Sequence, residues 1–198
     1  MDSPPTPDLD LASIVEEYRI TANIGTLMDR VRALAAGVTP EQLARAAAPF
    51  QEMPEVVIPA YEHIVSQRPG DAQAMVVLAN AYWLTGRGPE VVGKLASRAI
   101  DADAANRGAW HLWALAAPEV RTRVERWQEV ARRFPHDQLA RAALADNAAS
   151  LAGAEDDPVA LALAISTYEG LLAEATHPAH RAALEATLGV LRRMTVQP

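Results

Sequence analysis

The sequence contains no cysteine, a single lysine (Lys94) and few aromatic residues, which make up 5% of its 198 positions. The absence of cysteine excludes disulfide frameworks, thiolate zinc sites and cysteine nucleophiles. No stretch approaches the roughly 18 to 20 consecutive apolar residues of a bilayer-spanning helix, so we expect no direct membrane insertion. The net charge of -7 disfavours nonspecific binding to nucleic acid, which depends on clustered Lys and Arg. We therefore expect neither nucleic acid nor the membrane interior to be a binding partner.

The distribution of charge and the composition of residues 1–8 indicate which partners and which compartment to expect. The most basic stretch, residues 119–133, interleaves five arginines with three glutamates, and its excess of +2 is typical of a solvated helix face. Residues 1–8 are acidic and rich in proline, without the basic start and apolar stretch of about 7 to 15 residues that a secretory signal needs. We therefore expect a disordered leader over residues 1–8 and a cytoplasmic protein.

Alanine is the most abundant residue, with 41 copies, and half of all residues are hydrophobic. Alanine has the highest helix propensity, and its small side chain lets helices approach closely. No segment shows the sustained alternation rich in Val, Ile and Thr that indicates a strand. The composition thus predicts an all-α fold, and the length fits one domain with a sizeable core.

The first predicted helix, over residues 9–37, carries an apolar stripe with three-to-four spacing, which is typical of a helix that packs on one side. Asp8 is its predicted N-cap and Gly37 its end, and a break near Asn23 and Gly25 is an alternative to one continuous helix. The stripe consists of Leu11, Ile14, Val15, Tyr18, Leu27, Met28, Val31 and Leu34.

Later helix starts carry residues that cap helices. Thr39 and Gln42 flank Pro40 in a pattern that predicts a capping box with proline at the first helical position. Four further starts are marked by Asp71, Asn106, Asp137 and Asp157. Glycines mark the predicted ends, at Gly70, Gly86, Gly88 and Gly153. These helices arrive in pairs, which prompts a search for a repeat of about 34 residues.

Residues 71–104 contain such a repeat, and they carry the resemblance to a known family. The first helix of a tetratricopeptide repeat has Leu, Gly or Ala, Tyr and Gly at the positions of Leu78, Ala79, Tyr82 and Gly86. Irregular copies follow, one with Trp110 at the family's tryptophan position, and a lone terminal helix reads as a cap. The sequence resembles the tetratricopeptide family over about residues 40–192. Small residues at its helix crossings are Ala79, Ala96, Ala99, Ala114, Ala145 and Ala164.

The resemblance implies a right-handed superhelix of antiparallel helix pairs over residues 38–198, whose concave groove is lined by the first helix of each pair. Such a groove binds an extended or helical segment of a partner protein. The groove-facing positions that the resemblance assigns are Val76, Asn80, Trp83, His111, Leu115, Ala142 and Asp146.

Two of these groove residues, and Trp110 beside them, have alternative roles. Packing between helices is an alternative role for Trp83 and Trp110, and a solvated helix position is the alternative for Asn80. Family members that clamp a chaperone's C-terminal carboxylate use lysine, arginine and asparagine on these faces. Only Asn80 matches that set, so this particular ligand is not expected.

No pattern predicts catalysis, a metal or a cofactor. The segment from Gly86 to Gly88 lacks the length and the Lys-Ser/Thr pair of a phosphate loop, and no serine stands in a glycine-flanked nucleophile elbow. His177 and His180 have a spacing that a metal site can use, but no third ligand is near in sequence, which favours capping or surface positions. We expect a protein that is not an enzyme.

Two function classes remain open. The first is a protein-interaction scaffold, similar to irregular bacterial tetratricopeptide modules that serve as assembly or maturation factors. The second is a permanent structural subunit of a larger, membrane-associated or soluble complex, held through the N-terminal helix and the convex face. The N-terminal stripe must pack against its own chain or a partner, and the oligomeric state stays open.

Overall fold

The computed structural model describes the backbone of residues 7–194 and the side chains of residues 10–194. Within that range the chain forms eleven α-helices, one short 3-10 helix and no strand. The helices are α1 (Pro7–Thr21), α2 (Ile24–Ala36), α3 (Pro40–Ala47), α4 (Pro54–Gln67), α5 (Ala72–Leu84), α6 (Pro89–Ala102), α7 (Arg107–Leu115), α8 (Val120–Arg133), α9 (Gln138–Glu155), α10 (Pro158–Glu174) and α11 (Pro178–Met194), with the 3-10 turn at Ala48–Phe50. The predicted all-α fold is confirmed.

The start of the chain differs in detail from the prediction. Residues 1–6 of the predicted leader lie outside the described range. Helix α1 begins at Pro7, so Asp8 lies inside the helix and not at its N-cap position. The predicted break is present, because Ala22 has a φ of 52° and Asn23 caps α2 through a hydrogen bond from the Thr26 N–H. Residues 9–37 therefore form two helices.

The chain divides into two compact units, residues 1–112 and residues 113–198, with the boundary inside α7. In the first unit α1 packs against α2 and α3, and α2 packs against α4. The apolar stripe of the N-terminal helices is covered by these contacts, since Leu11, Val15, Leu27 and Val31 are all buried. The N-terminal helices thus belong to the core of the first unit.

The remainder of the first unit is a succession of antiparallel helices in which α4 packs against α3 and α5, and α5 against α6. Helix α4 continues through the buried Pro59, which lacks the N–H that would bond one turn back. Alanines at the crossings keep these helices close, and Ala79, Ala96 and Ala99 are fully buried.

The second unit contains α8, α9, α10 and α11, each packed against the next. Its core is again built on small residues, since Ala114, Ala145 and Ala164 have no exposed surface. Every alanine that the repeat pattern places at a helix crossing is buried. Close packing is therefore their structural role, beyond their helix propensity.

Local capping chemistry fixes most helix starts where the sequence predicts them. The capping box of Thr39 and Gln42 is formed, and Asp71, Asp137 and Asp157 each accept hydrogen bonds from the first turn of their helices. One predicted end is wrong. Helix α9 runs through Gly153 to Glu155 and ends at Asp156, which adopts the left-handed conformation with a φ of 50°.

Candidate functional site

The predicted groove residues of α5 lie on one side of that helix. Asn80 and Trp83 are exposed, with 38% of the Trp83 surface accessible, while Val76 is half-buried. The side chain of Asn80 has no hydrogen-bond partner among the described residues, which leaves its amide free to donate and accept. Leu84, next to Trp83, is 65% exposed. This end of α5 thus presents an indole, an amide and an aliphatic side chain to solvent.

Val76 links this face to the start of α7. A Cβ atom built on Gly108 would lie 3.1 Å from Cγ1 of Val76, so glycine at this position allows the close approach of the two helices. His111 follows Gly108 by three residues and therefore lies on the same side of α7. Val76 and His111, both assigned to the groove by the family resemblance, are each half-buried, and the approach of α7 at Gly108 covers part of Val76.

The other predicted groove residues lie in the second unit. Leu115 at the end of α7 and Ala142 on α9 are half-buried, and Asp146 is exposed. The carboxylate of Asp146 accepts a hydrogen bond from the hydroxyl of Tyr168 on α10. Burial of Tyr168, followed by this hydrogen bond and the negative charge of Asp146, raises the pKa of the phenol. Asp146 therefore ties α9 to α10 and is not a free carboxylate.

A cavity of about 580 Å³ lies within the first unit, on the other side of α5. Its position follows from helix geometry, because Asn80 is two residues from both Leu78 and Tyr82, and two residues turn a helix by about 200°. Helices α4, α5 and α6 and the turn after α4 supply the lining, which consists of Glu62, Val65, Ser66, Pro69, Leu78, Tyr82, Val91, Lys94, Leu95 and Arg98. The volume falls in the range of ligand-binding clefts, roughly 300–1,000 Å³.

A hydrogen bond between two helices forms one wall of this cavity. The hydroxyl of Tyr82 donates to Oε1 of Glu62 at 2.7 Å, and the guanidinium of Arg87 lies 5.1 Å from the centre of the Tyr82 ring. Burial of the ring, then the hydrogen bond and charge of Glu62, raise the pKa of Tyr82 to about 12, although Arg87 acts in the opposite direction. Tyr82 is therefore a neutral donor at physiological pH, and its bond orients the Glu62 carboxylate.

Two cations stand at the mouth of the cavity on α6. Lys94 pairs with Glu90 one turn earlier, at 2.6 Å, and this contact lowers the pKa of Glu90. Arg98, one turn later, is exposed and has no hydrogen bond or ion pair with any residue of the described range. Val91, on the same helix, is 45% exposed. The mouth thus combines an apolar patch with an uncommitted guanidinium.

Sequence reasoning missed this cavity. Leu78 and Tyr82 were matched to positions of the repeat, and no role was assigned to the side chains of Lys94 and Arg98. The one available signal was the i, i+3, i+4, i+7 spacing of Val91, Lys94, Leu95 and Arg98, which places them along one face of a helix.

The described side chains, residues 10–194, contain no group of three or more His, Asp or Glu residues that could hold a metal ion. None of the helices in the described part of the chain is long and apolar enough to cross a membrane.

Comparison with known proteins clarifies the fold. No family model matches the chain, and no curated protein matches its sequence. A crystal structure of the MamA protein superposes with a TM-score of 0.60 at 14% identity, over 87% of this chain and 98% of MamA. TTC0263, a thermophilic TPR protein of Thermus thermophilus, gives a TM-score of 0.53 at 16% identity, over 93% of this chain and 98% of that one.

The chain has a tetratricopeptide-like repeat fold. A second MamA crystal structure, at a TM-score of 0.56 and 14% identity, agrees over 78% of this chain and 94% of its own length. The 93% coverage by TTC0263 exceeds the share of the chain that residues 40–192 represent. Part of the N-terminal helices therefore lies within the region that superposes on TTC0263.

Proposed function

We propose that this chain is a non-enzymatic scaffold that binds a segment of a partner protein on the face formed by α5 and the start of α7. The observation that carries the proposal is the exposed Trp83 beside the unpaired amide of Asn80. Tryptophan is enriched at the energetic centres of protein interfaces, where its ring packs against apolar groups. An amide at its side can bond the backbone of an extended or helical segment.

The composition of this face indicates what kind of segment it binds. Val76 and Leu84 add apolar surface around Trp83, and His111 adds an imidazole on the adjoining helix. None of these five side chains is a lysine or an arginine, so the set suits a mixed polar and apolar segment. The biological role that we propose is assembly or maturation of the bound partner, in the bacterial cytoplasm.

Site-directed photo-crosslinking tests the proposal. A photoreactive amino acid is placed at position 83, and a matched control is placed at Leu139, which is 63% exposed on α9. The expected result is a discrete crosslinked protein from position 83 in cells of the native host and none from position 139. Equal crosslinking at both positions would contradict the proposal.

Substitution gives a second readout on the captured partner. Replacing Asn80 and Trp83 together with alanine should weaken capture by more than about tenfold, since interface anchors contribute about 2 kcal/mol or more each. The helical circular dichroism signal should not change. Full capture by the double variant would exclude this face as the binding surface.

The alternative role is that of a permanent subunit of a larger complex, held through the N-terminal helix and the convex face. The apolar stripe that required a partner is covered by α3 and α4 of the same chain. Sedimentation of the purified chain tests obligate self-association through that helix, for which a monodisperse monomer would be contrary evidence.

A further inference from the structure

The cavity between α4, α5 and α6 has an apolar lining and a charged mouth. Val65, Leu78 and Leu95 are buried or nearly so and line its interior, and the exposed Val91 extends the apolar surface to the rim. An apolar side chain that entered here would exchange water for contacts with aliphatic groups, which is favourable by about 25 cal/mol per Å² of apolar area.

Of the three charged residues that line the cavity, two have hydrogen-bond or ion-pair partners and one has none. The carboxylate of Glu62 is engaged by the Tyr82 hydroxyl, and the ammonium of Lys94 is engaged by Glu90. Arg98 alone among the charged lining residues has no partner in the described range. A guanidinium offers five donors in a planar fork that matches a carboxylate, so Arg98 is able to pair with an anionic group.

We propose that this cavity is a second docking site, which binds a partner peptide segment carrying an apolar side chain close to an aspartate or glutamate. The apolar side chain enters between Val65, Leu78 and Leu95, and the acidic side chain pairs with Arg98. Ser66 on α4 also lines the cavity, and its hydroxyl donates a hydrogen bond to the carbonyl of His63 at 2.7 Å. This site lies on the other side of α5 from Asn80 and Trp83, so it does not depend on the function proposed above.

Charge complementarity is the reason for proposing an acidic segment. Lys94 and Glu90 form a neutral pair, so the charged groups left to face the cavity are the Glu62 carboxylate, which is bonded to Tyr82, and the unpaired guanidinium of Arg98. A basic segment would face the unpaired Arg98 guanidinium and would be repelled by it. A neutral segment would leave the Arg98 guanidinium without a partner while covering the surface around it.

Fluorescence anisotropy with two synthetic peptides tests the proposal on the full chain. The peptides are alike except that one carries Glu and the other Lys, one helical turn after a Phe. The acidic peptide is expected to bind the chain measurably, and about tenfold more tightly than the basic one at low salt, with the difference shrinking as salt screens the charges. Equal affinities, or no binding of the acidic peptide, would overturn the proposal.

Charge reversal locates the anion contact. Arg98→Glu should weaken binding of the acidic peptide by about tenfold and should restore binding of the lysine peptide. Arg45→Glu is the matched control, because Arg45 is exposed on α3 of the same unit and does not line the cavity. If Arg45→Glu has the same effect as Arg98→Glu, a general charge effect explains the result and the site is refuted.

The apolar contact needs a separate variant. Val91→Ser should weaken the acidic peptide by about fivefold, which reflects loss of part of a valine contact. Val159→Ser is its control, since both valines are exposed in the first turn of a helix that begins with proline. Equal losses in the two variants would contradict a contact at Val91.

Two further experiments identify what binds in the cavity. The combined Asn80→Ala and Trp83→Ala variant should bind the acidic peptide as the unsubstituted chain does, whereas loss of binding would place the peptide on the other face. Sedimentation of the unsubstituted chain should show no dimer that Arg98→Glu dissociates. Such a dimer would mean that a second copy occupies the cavity and would overturn the proposal.

Discussion

Removing the Tyr82 hydroxyl is the most direct test of how α4 is joined to α5. Tyr82→Phe deletes the 2.7 Å hydrogen bond to Glu62 and leaves the ring in place. Hydrogen bonds to a charged acceptor contribute about 1.5–3 kcal/mol. Because both side chains are half-buried and Glu62 can regain water, we expect a loss of about 1 kcal/mol in the free energy of unfolding.

Urea unfolding, followed by circular dichroism, measures this loss, and a double-mutant cycle with Glu62→Gln isolates the pair. Tyr18→Phe is the matched control, because Tyr18 is half-buried in the same unit and its hydroxyl has no partner among the described residues. A coupling energy of about 0.5–1 kcal/mol is expected. If Tyr82→Phe and Tyr18→Phe cost the same, the reasoning about this hydrogen bond is refuted.

The same residue predicts a dependence on alkaline pH. The folded chain holds the Tyr82 proton more tightly than the unfolded chain, whose phenol has a pKa of 10.0. The stabilisation is therefore complete below pH 10 and is lost as the pH rises toward 12. The rise in pKa corresponds to ~2.7 kcal/mol, but contact of the ring with water reduces the expected effect to about 1 kcal/mol. The ultraviolet difference between the unsubstituted chain and Tyr82→Phe follows this titration, and a midpoint near 10 would contradict it.

Three further substitutions test backbone and packing, each by urea unfolding. Ala22→Gly should stabilise the chain by about 0.5–1 kcal/mol, because alanine is strained at a φ of 52°; a loss of stability would contradict this. Gly108→Ala should fall short of the usual gain of about 1 kcal/mol for a helical alanine, and should reach it in a Val76→Ala background, which removes the 3.1 Å contact. Gly170→Ala should gain about 0.5–1 kcal/mol, since its Cβ would meet only the flexible end of Arg141 at 3.0 Å; a net loss would mean that the pairing of Arg141 with Glu174 is worth more than the gain in helix propensity.

The sequence predicted features whose causes are local. Thr39 with Gln42, and aspartates such as Asp137, cap helices because a side-chain oxygen reaches an N–H two or three residues on. The alanines at helix crossings could be placed from the repeat pattern because each repeat buries the same positions. Gly153 shows the limit of this reasoning, since a helix can continue through glycine at a cost of about 1 kcal/mol.

Features that depend on distant parts of the chain could not be predicted. Asp146 lies 22 residues from Tyr168, and nothing in the spacing indicates that the carboxylate turns to α10 and not to solvent. The cavity requires the relative placement of three helices and the absence of any side chain large enough to fill the space between them. The division into two compact units could not be predicted either, because chain length constrains internal organisation only weakly.

The position of Lys94 has a consequence for chemistry on this chain. It is the only lysine, and it stands at the mouth of the cavity with 75% of its side chain exposed. Any acylation of a side-chain amine therefore falls at this one place, where it removes a positive charge and leaves Glu90 without its ion-pair partner. Among the side chains, an amine-reactive dye or an acetyl group would therefore modify only Lys94, at the mouth of the cavity.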